Sequence, residues 1–301
     1  MSEPFRKNLR RPNRGKLAYS VCVQFLFMHV ACLLAIWTGV STVAVVVALS
    51  LYVVRMFAIT AGFHRLFAHR TYRTGRIFQF LIAFTGTAAY QKGPLWWSAH
   101  HRSHHLHADT ENDPHSPLAS TLWRSHVGWF LARDSQTTDR KLISNLIKYR
   151  DLRFLDRYYS LPPALLAVAA FVFGSVLQRY APGLGTSGWQ MLVWGFFIST
   201  VLLYHGTFTV NSLAHIFGGR RFATEDNSRN NLLVALITLG EGWHNNHHYH
   251  PSSERQGFYW WEIDASHYML RVLSWFGIVW GIQTPPPRLT SLRMKPTPNE
   301  R

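Results

Sequence analysis

The sequence predicts an all-α membrane protein: four transmembrane helices in two hairpins, with a cytoplasmic helical cap holding a histidine-rich dimetal site. Three observations predict it. Of 301 residues, 48 % are apolar and only 15 % charged, well below the usual share of charge, yet the mean hydropathy is near zero. The apolar residues must therefore be concentrated in segments. Four segments are long enough to cross the hydrocarbon of a bilayer, which takes about 20 residues. Histidines recur in three separated groups, two of them in one register.

Taken in order, residues 1–16 form a basic cytoplasmic tail, with Arg6, Lys7, Arg10, Arg11, Arg14 and Lys16 against a single Glu3. The apolar run that follows is too long for a secretory signal. The spans run over about 17–38 and 40–61, joined through Gly39, and over 161–179 and 189–210, joined by a turn rich in Gly and Pro. The single membrane domain covers 17–283, with the cap built from 62–160 and 211–283 and a C-terminal tail over 284–301 that carries Pro285-Pro286-Pro287. From Arg65 to Arg157 there are fourteen Lys or Arg, and the turns on the other side carry almost none. The positive-inside rule then makes the cap cytoplasmic.

Ile77–Trp97 is apolar but broken by Gln79, Gly86, Gln91, Lys92 and Gly93-Pro94. If it crossed the bilayer, the first two histidine groups would face opposite sides, so it is read as interfacial or packed inside the cap. Asn211-Ser-Leu-Ala-His215 is followed by a polar loop with Arg220, Arg221, Glu225 and Asp226, and Ser228 is the expected N-cap of a helix over 231–239. Cys22 and Cys32 are too few for a disulfide framework or a thiolate metal site. The net charge of +16 does not signal nucleic-acid binding, because the basic residues flank apolar spans and form no patch of their own. Anionic lipid or a phosphate-bearing substrate accounts for them better.

The chemistry rests on the histidines. His101, His104 and His105 stand at i, i+3 and i+4, within roughly 100° of arc on one helix face. His244, His247 and His248 repeat that register, and His64 and His69 form the third group. Neutral imidazole suits iron, zinc or copper, and eight imidazoles are too many for one ion, so two ions are indicated. His215 is a candidate ninth ligand, and Asn211, at i−4 from it, could hold a metal-bound water. Structural zinc takes four ligands, Cys common among them, so a thiolate-free set of this size points to a redox metal, with iron the usual choice. His100, His107 and His250 point off these arcs, while His29, His115, His126, His205 and His267 stand alone. Asp109, Glu111 and Asp113 are placed to orient imidazoles, and Glu241 is read as a contact behind them rather than a ligand.

The set His64-x4-His69, His101-x2-His104-His105 and Glu241-Gly-Trp-His-Asn-Asn-His-His resembles the integral-membrane fatty acyl desaturases. Gly62-x-His64-Arg-Leu, Asp113-Pro-His, Ser125-His-Val-Gly-Trp and Asn211-Ser-x-Ala-His add to the likeness, which covers about residues 40–265 and is nearest to the bacterial stearoyl-CoA (delta-9) type. The resemblance implies a non-haem diiron centre on His64, His69, His101, His104, His105, His215, His244, His247 and His248, with Asn211 joined through a water. It implies O2 as co-substrate and a cis double bond, at the ninth carbon, in an acyl-CoA or another acyl thioester or lipid. No fused haem-binding donor domain is expected at either end, and electrons are expected from a separate protein such as ferredoxin or a reductase. The location implied is a bacterial inner membrane, with both termini and the site cytoplasmic. Tyr52, Phe57 and Phe208 are candidate walls of an acyl tunnel. A hydroxylase or decarboxylase on the same diiron scaffold would differ only after the first hydrogen abstraction. A metal transporter would put ionisable ligands at mid-membrane, and the four spans hold no Asp or Glu.

Overall fold

The computed structural model describes residues 16–290, so nearly all of the basic tail and the last residues of the C-terminal tail lie outside the described residues. The principal helices are α1 (Tyr19–Thr38), α2 (Thr42–Ala68), α3 (Arg76–Thr87), α4 (Pro94–His107) and α5 (Arg150–Arg157). They continue as α6 (Leu161–Tyr180), α7 (Gly188–His215), α8 (Leu232–Ile237), α9 (His244–Tyr249) and α10 (Ala265–Trp275). Four of them, α1, α2, α6 and α7, are long and apolar enough to cross a membrane. At 1.5 Å per residue they reach ~30–42 Å, against a hydrocarbon core of about 30 Å. The fold is mostly rather than wholly helical: β1 (Arg73–Thr74) pairs antiparallel with β2 (Val279–Trp280) and ties the chain after α2 to the chain after α10.

The spans expected at 40–61 and 189–210 end later in the structure, at Ala68 and His215. Neither meets a residue that stops it. Helix α2 instead continues over Ala58–Ala68 as a π-helix, with hydrogen bonds closing five residues apart, and so carries His64 on the helix itself. Helix α7 is central: 61 % of its most apolar stretch is buried, against 17 % for α1.

The turn between α1 and α2 rests on the start of α7. Ser41 caps α2 by accepting from the Ala44 N–H, and its hydroxyl donates to Gln190 Oε1 at 2.6 Å. Trp194 Nε1 donates to the Gly39 carbonyl at 2.9 Å. Deeper in, the buried Arg55 of α2 donates to Thr200 Oγ1 at 2.7 Å, Ser199 Oγ at 2.6 Å and the carbonyls of Leu51 and Ala88. A buried cation is tolerated where every donor finds an acceptor, and here those acceptors join α2, α7 and the turn after α3.

Helix α3 has 12 residues, too few to cross hydrocarbon. It buries Ile82, Ala83 and Gly86 and exposes Ile77, Phe80 and Leu81. The turn after it holds Tyr90 and Lys92 at positive φ, so the apolar stretch 77–97 doubles back as α3 and α4. Met56, Ile59, Phe63 and Phe67 of α2 form one core with Ile82, Leu95, Ala99, Leu152, Leu155 and Leu270. Val21 and Met28 of α1 form a second with Trp129, Phe130, Tyr204 and Phe208, and Trp97 packs against both. One local expectation fails. The N-cap of α8 is Asn231, whose side chain accepts from the Val234 N–H, whereas Ser228 sits in the Asp226 turn and spends its own N–H on Asp226 Oδ1.

Replacing Arg55 with Met removes donors from buried carbonyls and hydroxyls, which should cost about 2–3 kcal/mol. The expected result is a lowered thermal midpoint for the purified chain in detergent; an unchanged midpoint would contradict this role for the guanidinium.

Candidate metal centre

Four helix ends deliver the histidines. On an α-helix His64 and His69 would point roughly 140° apart. The π-helical end of α2 brings residues five apart onto one side, the His69 N–H bonds the His64 carbonyl at 3.0 Å, and the two rings lie 4.8 Å apart. His101, His104 and His105 share the face of α4 that their spacing predicted. Arg102 points elsewhere and donates to the Phe67 and Ala68 carbonyls at 2.6 and 2.8 Å, which clamps α4 onto the last turn of α2. Asp156 caps α4 by accepting from the Leu95 and Trp96 N–H groups. Asn230 does the same for α9 through Asn245 and Asn246.

All nine predicted histidines converge, in two groups whose possible ligand atoms lie within 4.8 Å of one another. The first is His64, His69, His101, His105 and His247; the second is His104, His215, His244 and His248. In the first, Nε2 atoms follow one another at 3.1 Å (His64 to His247), 2.9 Å (His247 to His105), 3.0 Å (His105 to His101) and 2.7 Å (His101 to His69). In the second, His244 Nε2 lies 3.1 Å from His215 Nε2. The rings of His105 and His248 stack at 4.5 Å across the two groups.

Behind the imidazoles stand carboxylates. Glu241 contacts His64 Nδ1, Asp113 accepts from His104 Nδ1 at 3.0 Å, Asp109 from His215 Nδ1 at 2.9 Å and Asp226 from His248 Nδ1 at 2.6 Å. Each bond fixes the proton on Nδ1 and turns the Nε2 lone pair inward. Burial, reinforced by the surrounding imidazoles, pushes the pKa values of His69, His101, His105, His244 and His247 well below the ordinary value. Burial would raise the Asp109 carboxyl, but the bond to His215 and the Asn227 N–H bring it down to about 2. Asp113 and Asp226 go the same way against their own burial, through His115 and His104 and through His248.

This geometry fits metal. The Nε2 atoms of His247, His105 and His101 each face two other nitrogens, and one ring proton cannot serve two partners well. The Nε2 of His248 is buried with no partner at all. Ligand nitrogens on one ion, at about 2.1 Å from it and at right angles, stand about 3 Å apart. That is the observed spacing.

The sequence profile described as "Fatty acid desaturase" matches residues 40–280. The chain belongs to that family. It is 36 % identical over 262 residues to the sn-1 stearoyl-lipid 9-desaturase of Anabaena variabilis, covering 86 % of this chain and 91 % of that protein. It is 35 % identical over 264 residues to the acyl-CoA C20 Delta5-desaturase of Anemone leveillei, covering 86 % and 79 %. It is 32 % identical over 284 residues to the sn-2 palmitoyl-lipid 9-desaturase of Nostoc sp. (strain 36), covering 92 % and 94 %. These likenesses make the chain a fatty acid desaturase by family and an oxidoreductase of lipid metabolism, and the names divide between acyl-lipid and acyl-CoA substrates.

Around the desaturase site, two cavities share Trp97, His101, Thr207 and Asn211. One is walled by Met56, Ile59 and Val210, the other by Trp96, Trp129 and Phe208. Of the proposed tunnel walls, Phe208 lines one of these two cavities, and Tyr52 and Phe57 line neither. Tyr52 donates its hydroxyl to the Ile237 carbonyl, and Phe57 packs in the core. His100 lies against Trp96 and meets the Thr137 carbonyl, His250 meets Ser252, and His107 is exposed, so all three stay outside both groups. Glu111 is also exposed, unlike Asp109 and Asp113. His115 does not stand alone: it packs on His104 at 4.4 Å and borders Asp113.

In the sequence Asp226 is one more loop acid, and only its side-chain contact with His248 shows its use. Changing Asp226 to Asn keeps the shape but removes the charge behind His248. Metal affinity should fall about 10- to 100-fold, read as faster loss of bound transition metal to a chelator. Retention equal to the wild type would contradict this orienting role.

Proposed function

We propose that this chain is an O2-dependent acyl desaturase that inserts a cis double bond at the ninth carbon of a saturated acyl chain, using two iron ions. The observation that carries the reading is the pair of imidazole groups, five and four strong, sharing one wall with a narrow apolar cavity. His64, His69, His101, His105 and His247 would hold one ion. His104, His215, His244 and His248 would hold the other, with Asn211 joined to it through a water. When bound, the iron pair supplies the activation of O2 that lets hydrogen be taken from an unactivated methylene.

The rest falls to the chain's own residues. Trp97, Met56, Ile59 and Val210 offer an apolar channel that holds methylenes beside His101 and His244 and keeps bulk water away. A saturated chain has no functional group to recognise at the reacting carbons, so the depth of this channel must measure position. Glu241, Asp113, Asp109 and Asp226 keep the imidazoles oriented through the cycle.

The four long helices are read as two membrane hairpins, with the histidine-bearing ends on the cytoplasmic side of a bacterial inner membrane. The basic 65–157 segment supports that orientation. The acyl group is read as a CoA thioester, which the same basic residues favour. The acyl-lipid relatives support a second reading, an acyl chain esterified in a glycerolipid. Electrons come from a separate carrier of the ferredoxin type or from a reductase.

Expression in a host with a known saturated acyl pool, followed by gas chromatography and location of any new double bond, tests the reaction. A monounsaturated product with the bond at carbon nine is expected. A hydroxylated acid or a terminal alkene with no internal double bond would overturn the desaturase reading. Pulse labelling distinguishes the carriers: the new bond should appear in acyl-CoA before it appears in lipid.

Substituting Ala for His104 or His247 should abolish product and lower bound iron, while His100→Ala and His250→Ala should retain most activity. Equal loss in all four would contradict the division of histidines drawn here.

A further inference from the structure

Away from the histidines, a cavity of about 340 Å³ opens between the chain after α2, helix α3 and the segment leading to α5. Its wall includes Arg70, Arg73 and Lys148, together with Gln79, Asn145 and Trp280. Among the described residues no carboxylate pairs with any of the three cations. The acid at the start of α5, Asp151, is already held by Arg76 at 2.5 Å.

Gln79 supplies a second, independent observation. It is only 9 % exposed, and its side-chain nitrogen is buried without a hydrogen-bond partner while the residue lines this cavity. A buried N–H group without an acceptor is destabilising, and a ligand offering an acceptor would remove that penalty. Three cations without a carboxylate partner, Lys148 resting over the Tyr149 ring, stand around one unpaired donor and call for an anion with several acceptor oxygens. Phosphate has that form, and arginine binds it through paired N–H groups.

The position of the cavity indicates where the phosphate comes from. Helix α3, which contributes Gln79, exposes Ile77 at 80 % together with Phe80 and Leu81. A short helix with that apolar side beside four membrane-length helices belongs at the headgroup level of a bilayer. Lipid phosphates lie at that depth, and juxtamembrane cations are drawn to anionic lipid.

We propose that this cavity binds the phosphate of an anionic glycerophospholipid, at a site separate from the imidazole groups. The inference rests on the reading of the chain as a membrane protein and is independent of which acyl group is desaturated. It gives the cap a lipid anchor on the α3 side, with Arg70, Arg73 and Lys148 meeting the charge and Gln79 donating from below.

The test uses the full-length chain purified in a neutral detergent and native mass spectrometry with a short-chain phosphatidylglycerol, the matching phosphatidylcholine, inorganic phosphate and coenzyme A as separate probes. One phosphatidylglycerol per chain is expected to remain bound, in clear preference to phosphatidylcholine. Arg70→Gln with Arg73→Gln, both at exposed positions, should weaken retention at least about tenfold, the loss expected for one or more charge-assisted hydrogen bonds. Gln79→Glu, nearly isosteric, should weaken it as strongly by opposing the phosphate, and a melting curve equal to the wild type confirms that both variants fold. Desaturase product measured on the same samples separates a failure of this site from a failure of the proposed reaction. Equal binding of both lipids, retention unchanged in the variants, or competition by coenzyme A or inorganic phosphate as effective as by the lipid would overturn the proposal. So would capture of only an acidic electron-transfer protein by these cations.

Discussion

Nine imidazoles whose inner nitrogens crowd at about hydrogen-bond distance cannot be ordinary buried side chains. Four of them have Nδ1 against a carboxylate, so their Nε2 atoms present lone pairs to their neighbours. Lone pairs facing lone pairs in a water-poor interior repel, and burial disfavours the doubly protonated, charged form of His101, His105 and His247. Positive charge placed between them removes the conflict. The four carboxylates match the charge of two divalent ions, which gives the arrangement a balanced electrostatic account.

That constraint fixes much of the surrounding architecture. The buried Arg65, next to His64, donates to Glu241, to Glu254 at 3.0 Å and to Asp264 at 2.9 Å. It thereby ties the end of α2 to three separate points in the C-terminal third of the chain. Gly240 allows the approach: its φ is +123°, and a Cβ there would fall 2.3 Å from Asp264 Oδ1. Asp264 also caps α10, and Thr60 meets Ser266 at 2.6 Å, so α2 and α10 are registered on each other beside the site. Breaking one member of such a buried charged group leaves the others unpaired. Residues far from the imidazoles in sequence therefore act on them through a short chain of contacts.

Much of this was legible in the sequence because the i, i+3, i+4 spacing has one geometric meaning on an α-helix. His101, His104 and His105, and likewise His244, His247 and His248, could be placed on shared faces on that basis alone. His64 and His69 could be grouped but not oriented, because the five-residue interval makes a common face only on a π-helix, which the local sequence does not announce. Asp109 and Asp113 were visible through their nearness to the second group. Asp226 reaches His248 across 22 positions, and Arg65 reaches Glu241 across 176, and no periodicity encodes contacts of that kind. Both Ser and Asn cap helices well, so the sequence alone does not choose between Ser228 and Asn231; Asn231 caps α8 because the Asp226 turn holds Ser228. The two-stranded ribbon joins residues some two hundred positions apart and was likewise invisible.

The architecture around the site turns on what the imidazoles hold. The most direct measurement is metal content with Mössbauer spectroscopy on the full-length chain, expressed with iron-57 and purified without oxygen. Close to two high-spin ferrous ions per chain are expected, both in nitrogen-rich coordination. A single ion per chain, or two ions of zinc in an active preparation, would contradict that expectation.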